Sequence, residues 1–230
     1  MKIAIMGAMR EEIDPILETI GEYTSEEHAG NIFYKCSYAG HDLTIAYSKI
    51  GKVFSAITAS VMIERFGAQA LLFSGVAGGI SKELKIGDLI MASALCQHDV
   101  DITAFGHPFG FIPEGSVMIE TDNDLRSLAA EIAVDMDVEL YEGIIATGDQ
   151  FVASSERKEW IEKTFNADAL EMEGGSVACV CHNFGIPFFV LRSISDSADG
   201  EAGVDFDTFL QSSAKVSAKF ILEMVKRIGD

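Results

Sequence analysis

Apolar runs of strand length alternate with longer helical patterns from one end of this chain to the other, an order that favours a sheet covered by helices. The predicted fold class is α/β. Residues 2–6 read as a short apolar strand leading into Gly7, and residues 9–20 place Ile13, Ile16, Leu17 and Ile20 at helical spacing. Residues 52–66 carry a broad apolar helical face, and residues 70–73 form a buried strand that runs into a glycine-rich turn at 74–79. Strands follow at 87–97, 143–147, 167–172 and 187–194. Between them come a helix capped by Thr121, a short helix marked by Trp160, Ile161 and Phe165, and a helix over 173–183 that Gly185 ends. A long final helix takes Phe206, Phe209, Leu210, Val216, Phe220, Met224 and Ile228 as its core face. Residues 31–38 and 42–48 read as two strands joined around Ala39-Gly40-His41, an antiparallel insertion that makes the sheet mixed.

A chain of 230 residues with 48% hydrophobic content buries one large core, so one domain over residues 1–230 is expected, a mixed twisted sheet flanked by helices. No repeat or linker interrupts it. Seventeen basic against 36 acidic residues give a net charge of -19, a field that repels phosphate backbones and anionic membranes. Nucleic acid and membrane are therefore not expected partners. Cys36, Cys96, Cys179 and Cys181 form no C-x-x-C pair and read as reduced core thiols. The start of the chain turns charged at Arg10-Glu11-Glu12, too soon for a signal peptide, and the longest apolar stretches fall short of the roughly 20 residues that span a bilayer. A cytoplasmic location is the expectation.

Polar or glycine residues interrupt apolar runs at four strand ends, where open α/β sheets place their sites: 7–12, 74–79, 170–174 and 192–199. Each has a plain structural alternative. The segment 74–79 lets backbone approach a small ligand, yet it lacks the spacing of a dinucleotide or P-loop motif, and a tight turn explains it as well. Glu11 and Glu12 suit the start of any helix. Glu171 and Glu173 share one face of an ideal strand, unless the change to helix near Glu173 separates them. The polar stretch from Arg192 is too polar to continue the apolar strand before it, and a surface turn is the simple reading. His98 with Asp99 and Asp101 has no second histidine at ligand spacing, so no metal is expected.

Taken together these segments resemble the methylthioadenosine/S-adenosylhomocysteine nucleosidases of the nucleoside phosphorylase superfamily. The resemblance covers essentially the whole chain. It rests on Gly7-Ala8-Met9 with Glu12, Ser48-Lys49-Ile50-Gly51-Lys52-Val53, Gly75-Val76-Ala77-Gly78-Gly79, the run from Asp99 to Gly106, Gly148-Asp149-Gln150-Phe151-Val152, Glu171-Met172-Glu173 and Arg192-Ser193-Ile194-Ser195-Asp196, in that order. It implies a nucleoside phosphorylase-like fold and hydrolysis, without a cofactor, of the adenine–ribose bond in 5'-thio-substituted adenosines, with 5'-deoxyadenosine or aminodeoxyfutalosine as further candidates. It implies that Glu12 activates water and Asp196 protonates the leaving adenine. Met172 and Glu173 would contact the ribose, Phe151 would stack on adenine, Val152 would read its edge, and Gly78 would lie against the ligand. Arg192 and Ser195 would support the site, while Met9, Ile50 and Phe206 would line its apolar part. Val76 stands where relatives often carry Ser, so no hydroxyl is available there.

The chemistry agrees with those roles. Adenine leaves poorly as an anion, so an acid near N7 lowers the barrier, and carboxylates stabilise the oxocarbenium-like ribose that forms. Asp196 must hold a proton near neutral pH, whereas Glu12 must be ionised, the division of labour of an inverting glycosidase. A phosphorolytic relative needs cations around its nucleophile, and Arg10 scarcely offsets Glu11 and Glu12. A non-catalytic nucleoside-binding protein needs neither acid nor base. Residues 101–113 are long and aperiodic, with Phe105, Phe109, Phe111, Ile102 and Ile112, a composition that argues against disorder. The loop folds over its own domain or, as the resemblance implies, joins a homodimer in which Ile102 and Phe105 reach the neighbour's ligand.

Overall fold

A computed structural model describes residues 1–198 and 202–229; Asp199, the end of the polar stretch read from the sequence, lies outside them. The elements run β1 (Lys2–Gly7), α1 (Arg10–Ile20), β2 (Thr24–His28), β3 (Asn31–Tyr38), β4 (His41–Tyr47), α2 (Lys52–Glu64), β5 (Ala70–Gly79), β6 (Leu89–Gln97) and β7 (Ile119–Glu120). They continue α3 (Asn123–Met136), β8 (Leu140–Thr147), α4 (Ser155–Phe165), β9 (Ala169–Glu171), α5 (Gly174–Phe184), β10 (Phe188–Asp196) and α6 (Ala202–Arg227). The fold is α/β, with a central mixed sheet flanked by helices.

Among the described residues the strand order is β10-β6-β8-β9-β5-β1-β4-β3-β2, with β7 on β6. Because β10 also pairs in parallel with β5, the strands β5, β10, β6, β8 and β9 close on one another. The β1 strand is buried on both faces, and its alternation feeds two layers. Ile3 and Ile5 pack with Ile13, Ile16 and Phe220 under α1, α3 and α6, while Ala4 and Met6 pack with Met62, Phe73 and Val177 under α2 and α5. A third cluster, with Val152, Ile161, Phe165 and Ala198, anchors α4.

Several expectations need correction. The glycine-rich segment is strand, not turn: β5 stays buried through Gly79, where Gly78 pairs with Leu170 and Gly79 with Ala169. The polar stretch is likewise strand as far as Asp196, because Arg192 and Ser195 find partners inside the protein and the small Ser193 is buried beside them. Asp122, not Thr121, caps α3 by accepting from the Leu125 N–H at 2.9 Å, and Thr121 instead donates to the Ala92 carbonyl at 2.5 Å. The strand expected over 167–172 is only three residues long and stops before Met172. On α6, Phe220 and Met224, with Ile228 just past its end, are core residues, but Phe209 and Val216 are exposed, and Ser213, Ala214, Ser217 and Ala218 are buried instead. Small side chains let that part of the helix pack close on β5 and β10. The edge strand β2, with sequence TSEEH, carries no apolar alternation to announce it.

Candidate active site

Three strands of the closed circuit deliver their ends to one cavity. The C-terminal ends of β5, β9 and β10 and the residues just after β1 surround a space of about 340 Å³. Chemistry at this place follows from what the strand ends carry.

Glu12 enters from the first turn of α1. Its Oε2 accepts from the N–H groups of Ala8 at 2.5 Å and Met9 at 3.0 Å, and its Oε1 accepts from Val76 N–H at 3.0 Å. The carboxylate thus folds back on its own helix start and bridges to β5, satisfying N–H groups that a helix leaves unpaired. A Cβ on Gly75 would lie 2.7 Å from Glu12 Oε1, which is why β5 carries glycine there. Glu12 is 2% exposed. Burial pushes its proton affinity up, while the Arg192 charge and the N–H donors of Met9, Ala8 and Val76 oppose the shift.

Asp196 ends β10. Its Oδ1 accepts from Ala198 N–H at 2.8 Å and its Oδ2 from the Ser195 hydroxyl at 2.9 Å. A Cβ on Gly78 would approach Asp196 Oδ1 to 2.8 Å and Ala198 Cβ to 3.1 Å, so only glycine fits against the turn. Ala198 is buried at φ +50, a left-handed conformation that costs an alanine about 1 kcal/mol and persists because its surroundings fix it.

Arg192 lies behind this surface, 1% exposed, with its Nη2 2.8 Å from Glu171 Oε2 and its guanidinium over the Phe73 ring at 4.0 Å. Glu171 also accepts from the Thr147 hydroxyl at 2.5 Å and the Gly174 N–H at 2.7 Å. The pair fixes the link from β9 to α5, and there Glu173 becomes the residue just before the helix. Glu173 Oε1 accepts from Gly51 N–H at 2.8 Å, at the start of α2. Burial first, then the neighbouring Glu171 carboxylate, hold the Glu173 carboxyl well above its ordinary range, and the Gly51 bond only partly offsets them.

Met9, Glu12, Ile50, Gly78, Phe151, Val152, Met172, Glu173, Ser195, Asp196 and Phe206 all line the cavity. Phe151 meets Phe206 edge-on, with ring centroids 5.8 Å apart, and Val152 is buried beside it. Arg192 does not line the cavity but holds Glu171, which does. Ile102 and Phe105 are not brought to this chain's own cavity, and Phe105 is 82% exposed on a single 3-10 turn. Glu171 is the residue whose role the sequence reading missed. The signal was there: an arginine closing an apolar strand is buried only with a carboxylate partner. Among the described residues no group of three or more His, Cys, Asp or Glu side chains forms a metal site. A larger open groove of about 700 Å³ beside β3 and β4 carries Lys35 and Arg65, both already paired with Glu26.

Comparison with known proteins gives the same picture. Residues 2–226 match the phosphorylase superfamily. An aminodeoxyfutalosine nucleosidase of Campylobacter jejuni is 55% identical over 99% of this chain and 100% of its own. A 5'-methylthioadenosine/S-adenosylhomocysteine nucleosidase of Exiguobacterium is 38% identical over 99% of both. A crystal structure of the Helicobacter pylori 5'-methylthioadenosine/S-adenosylhomocysteine nucleosidase with butyl-thio-DADMe-Immucillin-A superposes with a TM-score of 0.98 at 55% identity, covering 99% of this chain and 98% of that one.

Proposed function

The chain belongs to the phosphorylase superfamily and is a nucleosidase within it, and on that premise we propose that Glu12 and Asp196 divide the work of hydrolysing 5'-substituted adenosines. The substrates are methylthioadenosine and S-adenosylhomocysteine, and aminodeoxyfutalosine, named for the 55%-identical relative, falls within the same reading. Asp196 gives its proton to adenine N7 as the C1'–N9 bond breaks and its electron pair leaves with the base. The ribose gains oxocarbenium character beside Glu12 and Glu173, water adds at C1', and its proton passes to Glu12. Glu173 accepts hydrogen bonds from the ribose hydroxyls beside Met172. Phe151 stacks on adenine, whose edge the Val152 backbone reads, and Met9, Ile50 and Phe206 receive the 5' substituent.

The observation that carries the hydrolytic reading is the sign of the cavity. Its acidic lining residues are Glu12, Glu171, Glu173 and Asp196, and among the described residues no lysine or arginine lines it. Arg192 is spent on Glu171, and Arg10 turns away to Asp14 and Tyr34. A phosphate dianion entering this space meets carboxyl groups and no free cation to bind it, whereas a water molecule needs none. An oxocarbenium-like cation is what such a lining stabilises.

The working form is a homodimer in which Ile102 and Phe105 of one subunit complete the apolar 5' end of the other's cavity. In support, α2 exposes Val53, Phe54 and Ile57, and beside them Ile50 both lines the cavity and is half-exposed. The enzyme works in the cytoplasm, in keeping with its four free thiols. No helix among the described residues is long and apolar enough to cross a membrane.

The test is adenine release from methylthioadenosine with and without phosphate, with the sugar product identified by mass. Equal rates and a free 5-methylthioribose are expected. A phosphate-dependent rate with a sugar 1-phosphate would overturn the hydrolytic assignment.

A further inference from the structure

The helix α4 begins at Ser155, shortly after Phe151 and Val152, and its Lys158 reaches across to the end of β10. Lys158 Nζ donates to the Ser197 carbonyl at 2.7 Å. The N–H of the same peptide unit, on Ala198, donates to Asp196 Oδ1 at 2.8 Å. One peptide group therefore stands between an ammonium and the carboxyl of Asp196, with its carbonyl facing the cation and its N–H facing the acid. Withdrawing electron density from a carbonyl makes the N–H across the amide a stronger donor, and chains of hydrogen bonds polarise one another in this way. The arrangement is also held firmly. Ile161 and Phe165 of α4 share a buried cluster with Val152 and Ala198, and Ala198 is fixed in its left-handed conformation against Gly78.

We propose that Lys158 is a positioning residue for Asp196, acting through the Ser197–Ala198 peptide to stabilise the carboxylate that remains once adenine has taken the proton. The inference rests on the reading of Asp196 as general acid. The acidic groups that line the cavity with Asp196 are Glu12 from α1 and Glu171 and Glu173 from β9 and the start of α5. All of them disfavour a new negative charge, and Arg192 is committed to Glu171. Lys158 supplies positive charge from behind, through a dipole that is already oriented and costs no reorganisation during reaction. It also joins the segment that holds adenine to the residue that protonates it.

The test is the pH dependence of kcat and kcat/KM for methylthioadenosine in Lys158→Met, Lys158→Gln and Lys158→Arg, with Asp196→Asn as reference. Losing the cation makes Asp196 a weaker acid, so Lys158→Met should lower kcat by about tenfold with little change in KM. Its alkaline limb should move upward by about half a pH unit to one unit, while the acid limb, set by Glu12 and Glu173, stays in place. Lys158→Gln keeps a donor but no charge and should move the limb as Lys158→Met does. Lys158→Arg should return both the limb and most of kcat. A lowered rate with the alkaline limb unmoved would make Lys158 a structural strap and overturn the inference while leaving Asp196 as the acid. A Lys158→Gln enzyme indistinguishable from wild type would overturn it too. Near wild-type turnover in Asp196→Asn would remove the general acid itself, and this inference with it.

Discussion

At the scale of single residues, the site keeps more buried carboxyl groups than buried cations, and that excess is a stability cost. Glu173 illustrates it. Its folded-state proton affinity is raised by burial and by Glu171, so between the ordinary carboxylate range and its raised value the folded protein binds more protons than the unfolded chain. Stability therefore falls as pH rises through that window. Replacing Glu173 with Gln keeps an acceptor for the Gly51 N–H and removes the charge. Thermal unfolding at pH 8 should show Glu173→Gln more stable than wild type by about 1 to 3 kcal/mol, with the gain shrinking toward pH 5 and turnover severely reduced. A destabilised variant at pH 8 would show that the carboxylate is not costly there. The sequence marked Glu12, Glu173 and Asp196 as polar interruptions at the ends of apolar strands, each with a plain structural alternative, and only the family resemblance gave them roles. The support given by Glu171 was not legible, because nothing local distinguishes a carboxylate aimed at a buried arginine from one aimed at solvent.

At the scale of elements, strands were found where apolar runs are continuous and lost where function breaks the pattern. The core of β1, β4, β6 and β8 was plain from composition. The last part of β5 looked like a turn because its glycines answer to Glu12 and Asp196 rather than to local backbone needs, and the polar end of β10 looked like surface because its partners come from β5 and β9. A different device joins β6 to β8. His98 follows β6, donates its N–H to the Thr147 carbonyl at 2.9 Å, and sets its ring against Gly148. Its Nδ1 lies 3.1 Å from Arg157 Nη2, and since arginine only donates, Nδ1 accepts and the imidazole is neutral. Burial, then Arg157, lower its pKa to about 4. A folded value below the unfolded one means that stability is fully present above about pH 6.5 and is lost as pH falls toward 4. The buried carboxyls act in the opposite sense, so the informative quantity is a difference. Urea unfolding of wild type and His98→Gln at pH 7 and pH 5 should show the wild type losing about 1 to 2 kcal/mol more than the variant on acidification. Parallel losses would mean that His98 takes up its proton as readily in the folded state.

At the scale of the whole molecule, one α/β fold and a strongly acidic chain were readable from length, periodicity and charge, whereas the proposed dimer leans on the apolar residues that α2 leaves exposed. The exposed Val53, Phe54 and Ile57 lie on α2, the same helix whose N-terminal end meets Glu173 through Gly51. An obligate interface over this face should bury roughly 2,000 Å² or more in total. Phe105→Ala should raise KM for methylthioadenosine more than for 5'-deoxyadenosine, since the truncated ring loses contact with the 5' tail but not with adenine. Equal effects on both substrates, or a fully active monomer in sedimentation at nanomolar concentration, would contradict the shared site. The cavity itself stands or falls on Glu12 acting on water rather than on the nucleoside. The direct measurement is methylthioadenosine affinity and single-turnover adenine release in Glu12→Gln, made on the same preparation. Affinity close to that of wild type with release slowed by about 10² or more is expected, because a neutral amide cannot take the proton of water; affinity lost in proportion to rate would make Glu12 a ligand contact and contradict the division of acid and base.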